Sequence, residues 1–177
     1  MMKYFILAIL GIIAGFLEVG VLPFLPGWFV PAPLFVGTVI LIVTSSRARA
    51  LTFALAGALV LSGYGIFTFD IPILHWLLIV FALSLVSQRF LTNRSLYATA
   101  ALLFLGRLLD WFLHFLFSEL GRLFGGSYYI WSLPSNLLST LLWDQLVGMT
   151  LFILFAMVTR RFSPQVGRSN SFAWQNS

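Results

Sequence analysis

The sequence predicts an all-α, polytopic integral membrane protein with six transmembrane helices and both termini in the cytoplasm. Of its 177 residues, 60% are hydrophobic and only 8% are charged, whereas a soluble domain has about 25% charged residues. The mean hydropathy is +1.02. Because so few polar side chains cannot cover a water-facing surface, we expect the lipid bilayer to surround a single membrane domain over residues 1–161.

Six apolar segments, separated by prolines, glycines or pairs of basic residues, predict the helices. A helix that crosses the hydrocarbon core needs about 20 apolar residues. The expected spans are residues 4–22, 33–46, 50–69, 71–88, 95–120 and 135–158, of which the second is the weakest. The tail, residues 162–177, is rich in Ser and Asn without periodicity and is expected to be disordered.

The first span resembles a signal peptide, because Lys3 precedes an apolar run. It has no convincing A-x-A cleavage site, however, and it contains Glu18. We therefore expect an uncleaved first helix.

Small residues at three- or four-residue spacing predict faces where helices approach closely. They are Ala8, Gly11 and Gly15 in the first span, and Ala54, Ala58 and Ser62 in the third. Generic helix packing is the simplest interpretation, since the GxxxG spacing is common in apolar segments.

The connections carry turn signals. Residues 23–33 contain four prolines and no charge, which predicts an interfacial loop. Asp70 is a natural N-cap for the fourth helix. Residues 89–94 form a short polar turn, and residues 121–134 form a loop with a Tyr-Tyr-x-Trp cluster suited to the head-group region.

The basic residues predict the orientation. With the N-terminus inside, eight of the ten lie on the cytoplasmic side: Lys3, Arg47, Arg49, Arg89, Arg94, Arg160, Arg161 and Arg168. Arg122 lies in an external loop, and Arg107 lies within the membrane. This asymmetry satisfies the positive-inside rule for an inner (cytoplasmic) membrane protein. Scattered basic residues of this kind indicate topology and not nucleic-acid binding.

The fifth span carries the most unusual polar residues. At 100° per residue, Arg107, Asp110 and His114 fall within roughly 60° of one another on one helix face. Charges in a membrane are costly and normally face a partner or a wet cavity. We therefore expect this face to point into the bundle.

The depth of each residue in the membrane, calculated from the helical rise, predicts partners for these polar residues. At about 1.5 Å per residue, Asp110 and Asp144 both lie roughly 15 Å below the outer boundary. We expect Arg107 to pair with both carboxylates in a structural ion network between spans five and six. Two other roles for these charged residues remain open. They could form the floor of an outward-open pocket for a small solute, or they could relay protons or ions.

Other polar residues come out nearer the outer boundary. Glu18, His75 and His114 lie roughly 6–9 Å below it, with Ser118 one turn further along the fifth helix. These four residues predict an outer-half pocket or docking groove, in which Glu18 lies close to one of the histidines.

The sequence favours a non-enzymatic protein without a cofactor. There are no cysteines, and the only histidines, His75 and His114, form neither H-x-x-x-H nor H-E-x-x-H. No G-x-S-x-G motif, Walker loop or dinucleotide fingerprint is present. We therefore expect no catalytic residues and no metal site.

Three segments carry a resemblance to a known family. They are LPFLPGWFVPAPLFVGTVILIV, ALAGALVLSGYGIFTFDIP and RFLTNRSL, within six short spans over residues 4–161. Together they resemble the rod shape-determining protein MreD family. The resemblance implies a scaffold in cell-wall elongation and cell-shape determination, with MreC and MreB as partners.

The architecture is also similar to that of the substrate-binding S components of energy-coupling-factor vitamin transporters. That alternative implies an outward-facing vitamin pocket, together with ATPase and transmembrane coupling subunits as partners. The stripe formed by Ala8, Gly11 and Gly15 would then contact the coupling subunit.

Overall fold

The computed structural model describes residues 2–26, 31–64, 72–90, 96–123 and 137–162. Within these ranges the regular structure is entirely helical, which confirms the all-α class. The elements are α1 (Met2–Gly20), one turn of 3₁₀ helix (Leu22–Phe24), α2 (Pro33–Thr44), α3 (Arg47–Gly63), α4 (Pro72–Phe90), α5 (Leu96–Leu123) and α6 (Leu137–Phe162). Asp70, the aromatic loop and the predicted disordered tail after residue 162 lie outside the described residues.

Four helices in the described part of the chain, α1, α4, α5 and α6, are long and apolar enough to cross a membrane. These helices indicate a membrane protein. The remaining two are shorter than the sequence predicted, because α2 ends at Thr44 and α3 ends at Gly63. At 12 residues, α2 is about 18 Å long, well short of a hydrocarbon core of about 30 Å.

The short α2 is the centre of the bundle. It contacts each of the other α-helices in the described structure. Most of its side chains are buried: Leu34, Phe35, Val36, Thr38, Val39, Ile40 and Val43. Protein therefore surrounds α2 on most sides.

The small residues of α1 lie against α3. A Cβ atom added to Gly11 would collide with the backbone oxygen of Phe53, and one added to Gly15 would lie 2.9 Å from the backbone oxygen of Gly57. The close approach predicted for this face is therefore present within the chain. Ala8, one turn earlier, is half-buried.

The predicted stripe on α3 is only partly a packing face. Ala54 and Ala58 are completely buried. Ser62 is exposed, and its hydroxyl donates to the backbone oxygen of Ala58 in its own helix at 2.9 Å. Assigning Ser62 to helix packing was wrong, because α3 ends one residue later and leaves the hydroxyl outside the bundle.

Contacting residues show that the helices alternate in direction along the chain. The pairs are Gly11–Phe53 and Gly15–Gly57 for α1 and α3, Gly37–Phe53 and Leu34–Gly57 for α2 and α3, Arg47–Gln88 for α3 and α4, Leu83–Gly106 and His75–Asp110 for α4 and α5, and Leu103–Gly148 and Arg107–Asp144 for α5 and α6. Hence α1 and α3 are parallel, and the helices in each of the other pairs are antiparallel. The N-terminal end of α2 therefore lies at the same end of the bundle as the C-terminal end of α1.

Candidate functional site

Arg107 of α5 holds two carboxylates in the middle of the bundle. Its Nε donates to Oδ2 of Asp144 at 2.8 Å, and Nη1 donates to Oδ2 of Asp110 at 2.9 Å. Nη2 also donates to Asp144. All three residues are buried. The structure thus brings together the three residues that the sequence predicted to pair, and it joins α5 to α6 through them.

The guanidinium also lies over an aromatic ring. Its central carbon is 4.6 Å from the centroid of the Phe35 ring on α2. A cation held over an aromatic face in a desolvated site is stabilised by the ring quadrupole. Arg107 is therefore in contact with α2 as well as with α6.

Two carboxylates meet the N-terminus of α2. Oδ1 of Asp144 accepts a hydrogen bond from the backbone N–H of Ala32 at 2.9 Å, and Oε2 of Glu18 accepts one from Leu34 at 3.3 Å. The first N–H groups of a helix have no partner within it, and negative charge there is favourable. The local sequence V-P-A-P offers no side-chain cap, so α1 and α6 supply the acceptors.

This contact adds to the predicted position of Glu18. The sequence placed Glu18 near one of the histidines, and Glu18 does line the same cavity as both of them, but its carboxylate is hydrogen-bonded to the start of α2. The physical reason is the path of the chain. The end of α1 and the start of α2 lie at the same end of the bundle, so the first N–H groups of α2 are within reach of Glu18.

His75 of α4 joins the same network. Its Nε2 is hydrogen-bonded to Oδ1 of Asp110 at 2.8 Å. Nε2 of His114 lies 3.8 Å from the same oxygen, and the two imidazole rings are 4.4 Å apart between centroids. Asp110 therefore receives Arg107 on one oxygen and faces both histidines with the other.

A cavity of about 110 Å³ adjoins these residues. It is lined by Glu18, Phe35, Leu61, Pro72, His75, Trp76, Arg107, Asp110 and His114. The sequence predicted a structural pair around Arg107 and a separate outer pocket around the histidines. The structure corrects that division, because Asp110 contacts both groups and all of them line one space.

Ser118 is the exception among the predicted pocket residues. It is half-buried one turn beyond His114, and it is not among the described residues that line the cavity. Placing Ser118 in the pocket was therefore wrong. The wall of the cavity instead includes Trp76 of α4.

We call Glu18, His75, Arg107, Asp110, His114 and Asp144 the polar core. Its members come from α1, α4, α5 and α6. With neutral histidines it carries three carboxylates and one guanidinium, a formal charge of −2. The α2 N-terminus offsets only about half of one charge. With all three carboxylates ionised, the polar core is therefore a site of excess negative charge inside an apolar bundle.

Sequence reasoning missed the part played by α2. Phe35 and the backbone N–H groups of Ala32 and Leu34 complete the polar core, yet none carries a charge. One signal was present: a proline at the first turn of a helix, with no Ser, Thr, Asp or Asn before it, indicates N–H groups that must find acceptors elsewhere in the fold.

The chemistry of the cavity is limited. Its described lining contains no hydroxyl, thiol or amine side chain that could act as a nucleophile. It offers two imidazoles, two carboxylates and a guanidinium, which can bind ions, protons or a very small polar solute.

No family model, characterised protein or solved structure was found to match this chain.

Proposed function

We propose that this chain is a non-enzymatic integral membrane scaffold of the MreD type, which takes part in cell-wall elongation and cell-shape determination through protein partners. The observation that carries the proposal is that the buried charged groups bond to one another and to the N-terminus of α2. Arg107, Asp110 and Asp144 bond to one another, and two carboxylates hold the N-terminus of α2. These contacts join four helices, α1, α2, α5 and α6, in one arrangement, as a scaffold with defined outer faces requires.

The size of the cavity supports the same conclusion. Sites for organic ligands have volumes of about 300–1,000 Å³, and the cavity beside the polar core has about 110 Å³. That volume accommodates a few water molecules or an ion. It favours a scaffold over a vitamin-binding component.

The proposal includes six membrane crossings with both termini in the cytoplasm of the inner membrane. Two observations support this topology. The helices alternate in direction along the chain, and the basic residues outside the membrane concentrate at the ends that this alternation makes cytoplasmic. The second crossing then consists of α2 together with residues that precede it.

Affinity purification tests the scaffold function. The chain, tagged and expressed at its natural level, is expected to co-purify with the MreC and MreB proteins of the same cell, and its depletion is expected to turn rod-shaped cells round. A tagged multi-pass protein of unrelated function serves as the control. Recovery of both partners by the control, or normal cell shape after depletion, contradicts the proposal. Adjacent mreB and mreC genes would be the simplest supporting observation.

The vitamin-transporter alternative makes opposite predictions. It requires a ligand-dependent increase in melting temperature when the purified chain is screened against vitamins, and an ATPase pair encoded nearby. It also assigned Ala8, Gly11 and Gly15 to a coupling subunit, whereas Gly11 and Gly15 are buried against α3. That face is already occupied within the chain, which is a further reason to prefer the scaffold.

A further inference from the structure

Three potential metal ligands converge at the edge of the cavity. One ring nitrogen of His75, one ring nitrogen of His114 and a carboxylate oxygen of Asp110 all lie within 4.8 Å of one another. His75 comes from α4, and the other two residues are one turn apart on α5. Both helices are packed into the bundle, so the three ligand atoms are held by rigid elements.

The distances are close to those of a bound zinc ion. Ligand atoms that lie 2.0–2.1 Å from a tetrahedral zinc ion are about 3.3 Å from each other. The two observed distances from Oδ1 of Asp110 are 2.8 Å to His75 and 3.8 Å to His114, one on either side of that value. The third distance, between the two histidine nitrogens, is at most 4.8 Å, so it has to shorten by no more than about 1.5 Å, which rotation about the histidine χ angles can supply.

Arg107 prepares the carboxylate for this role. Its Nη1 holds Oδ2 of Asp110 at 2.9 Å, which leaves Oδ1 directed toward the two imidazoles. Metal-binding carboxylates are usually oriented in this way by a second hydrogen bond to the oxygen that does not bind the metal. The asymmetry between the two oxygens of Asp110 is therefore what a three-ligand site needs.

The formal charge of the polar core is a second argument for a bound cation, separate from the geometry of the ligands. With neutral histidines its formal charge is −2, and excess charge inside a membrane protein is costly. A divalent cation would make the polar core neutral. Neutral imidazole and carboxylate are ligands that Zn²⁺ and its transition-metal neighbours accept readily, whereas Mg²⁺ and Ca²⁺ favour oxygen.

The cavity supplies the remaining coordination position. Three protein ligands and an open position filled by water are the usual arrangement of an accessible zinc site. The space of about 110 Å³ beside His75 and His114 is enough for one or a few water molecules, at about 30 Å³ each.

We propose that His75, Asp110 and His114 form a binding site for a divalent transition-metal ion of the Zn²⁺ class, with its fourth position open to the cavity. On binding, each imidazole carries its hydrogen on Nδ1 and presents the Nε2 lone pair to the metal. The proposal departs from the sequence-based expectation of no metal site, which rested on the absence of a histidine motif, because the two histidines lie 39 residues apart on different helices. The site goes beyond the scaffold function, and each can be present without the other.

Metal binding to the purified chain tests the proposal. The full chain is prepared in detergent with a tag that contains no histidine, stripped with a chelator, and titrated with ZnCl₂. We expect one Zn²⁺ per chain with micromolar or tighter affinity. His114→Ala is expected to lower that affinity at least tenfold and to remain folded, because the His114 side chain is 30% exposed.

A matched control uses the same helix. Glu119→Gln removes a carboxylate that is paired with Arg122 at 2.8 Å, away from the cavity, and should bind Zn²⁺ as the wild type does. Co²⁺ provides a spectroscopic readout, since wild type and Glu119→Gln should give the visible absorption of a nitrogen- and oxygen-ligated ion and His114→Ala should not. Sub-stoichiometric binding by the wild type, or equal binding by wild type and His114→Ala, overturns the proposal. Neither result bears on recovery of MreC and MreB.

Discussion

Arg107 is the residue on which the interior depends most. Its donors satisfy both Asp110 and Asp144, and Phe35 lies under its face. Asp144 in turn reaches the N-terminus of α2, and Asp110 reaches His75 on α4. A lysine could not replace it, because an ammonium group is a point charge without the planar fork that matches two carboxylates.

Removing this guanidinium should therefore cost more than removing a surface arginine. We expect Arg107→Leu to destabilise the fold by about 3–5 kcal/mol, because it leaves buried carboxylates without a partner. The matched control is Arg122→Leu on the same helix, whose side chain is 66% exposed and whose loss should cost no more than about 1 kcal/mol. Folded yield and melting temperature in detergent measure both effects.

A triple variant separates ionic pairing from simple loss of packing. Arg107→Leu combined with Asp110→Leu and Asp144→Leu removes the unpaired charges, so part of the stability should return. Recovery should be incomplete, because the backbone N–H of Ala32 and the imidazole of His75 lose their acceptors. Wild-type behaviour of the single variant, or a triple variant worse than the single one, would show that the ion network does not hold the helices.

At the scale of elements, the sequence predicted most helices to within a few residues but not the role of α2. Hydropathy reports that a segment is apolar. It does not report whether lipid or protein surrounds it, because leucine side chains and lipid tails are equally apolar. The weakest of the six predicted spans became α2, which contacts every other α-helix in the described structure. Only the three-dimensional structure reveals this.

A similar limit explains why the sequence predicted only part of the polar core. The face shared by Arg107, Asp110 and His114 was predictable from helical periodicity, and depth placed Asp144 at the level of Asp110. The hydrogen-bond partner of Glu18 was not predictable, because it is a backbone N–H group of α2, and a backbone group leaves no side-chain pattern in the sequence. Periodicity locates charged side chains on one helix, whereas their partners are determined by packing between helices.

The contact between α1 and α3 gives a prediction for a single methyl group. Gly11→Ala places a Cβ atom against the backbone oxygen of Phe53, which cannot move without displacing α3. We expect a loss of about 1–3 kcal/mol from overpacking. Thermal unfolding of the detergent-solubilised chain measures it.

Gly20→Ala is the matched control, because no atom lies within 4 Å of the Cβ that would be added there. It should leave stability unchanged or raise it by up to about 1 kcal/mol, since alanine restricts the unfolded chain more than glycine does. Equal melting temperatures for the two variants would mean that α1 and α3 do not touch along this face.

At the scale of the whole molecule, the polar core and the alternation of the helices belong together. Because successive helices run in opposite directions, residues far apart in sequence reach the same depth. Glu18, His75, Arg107 and Asp144 meet for this reason. The alternation thus brings the residues that line the cavity together, and it is also the basis of the six crossings that we propose.

Cysteine labelling on either side of α2 tests these crossings, and the chain contains no natural cysteine that could interfere. Phe24 precedes α2 and is 86% exposed, and Ser46 follows it and is also exposed. With six crossings, Phe24→Cys should react with a membrane-impermeant maleimide in intact cells, whereas Ser46→Cys should react only after permeabilisation. If α2 only dips into the membrane and returns, both cysteines should behave alike. A helix of about 18 Å can separate the two positions only if residues before it complete the crossing. Opposite labelling of this pair would therefore also locate the proline-rich segment, residues 23–33, within the outer half of the bilayer.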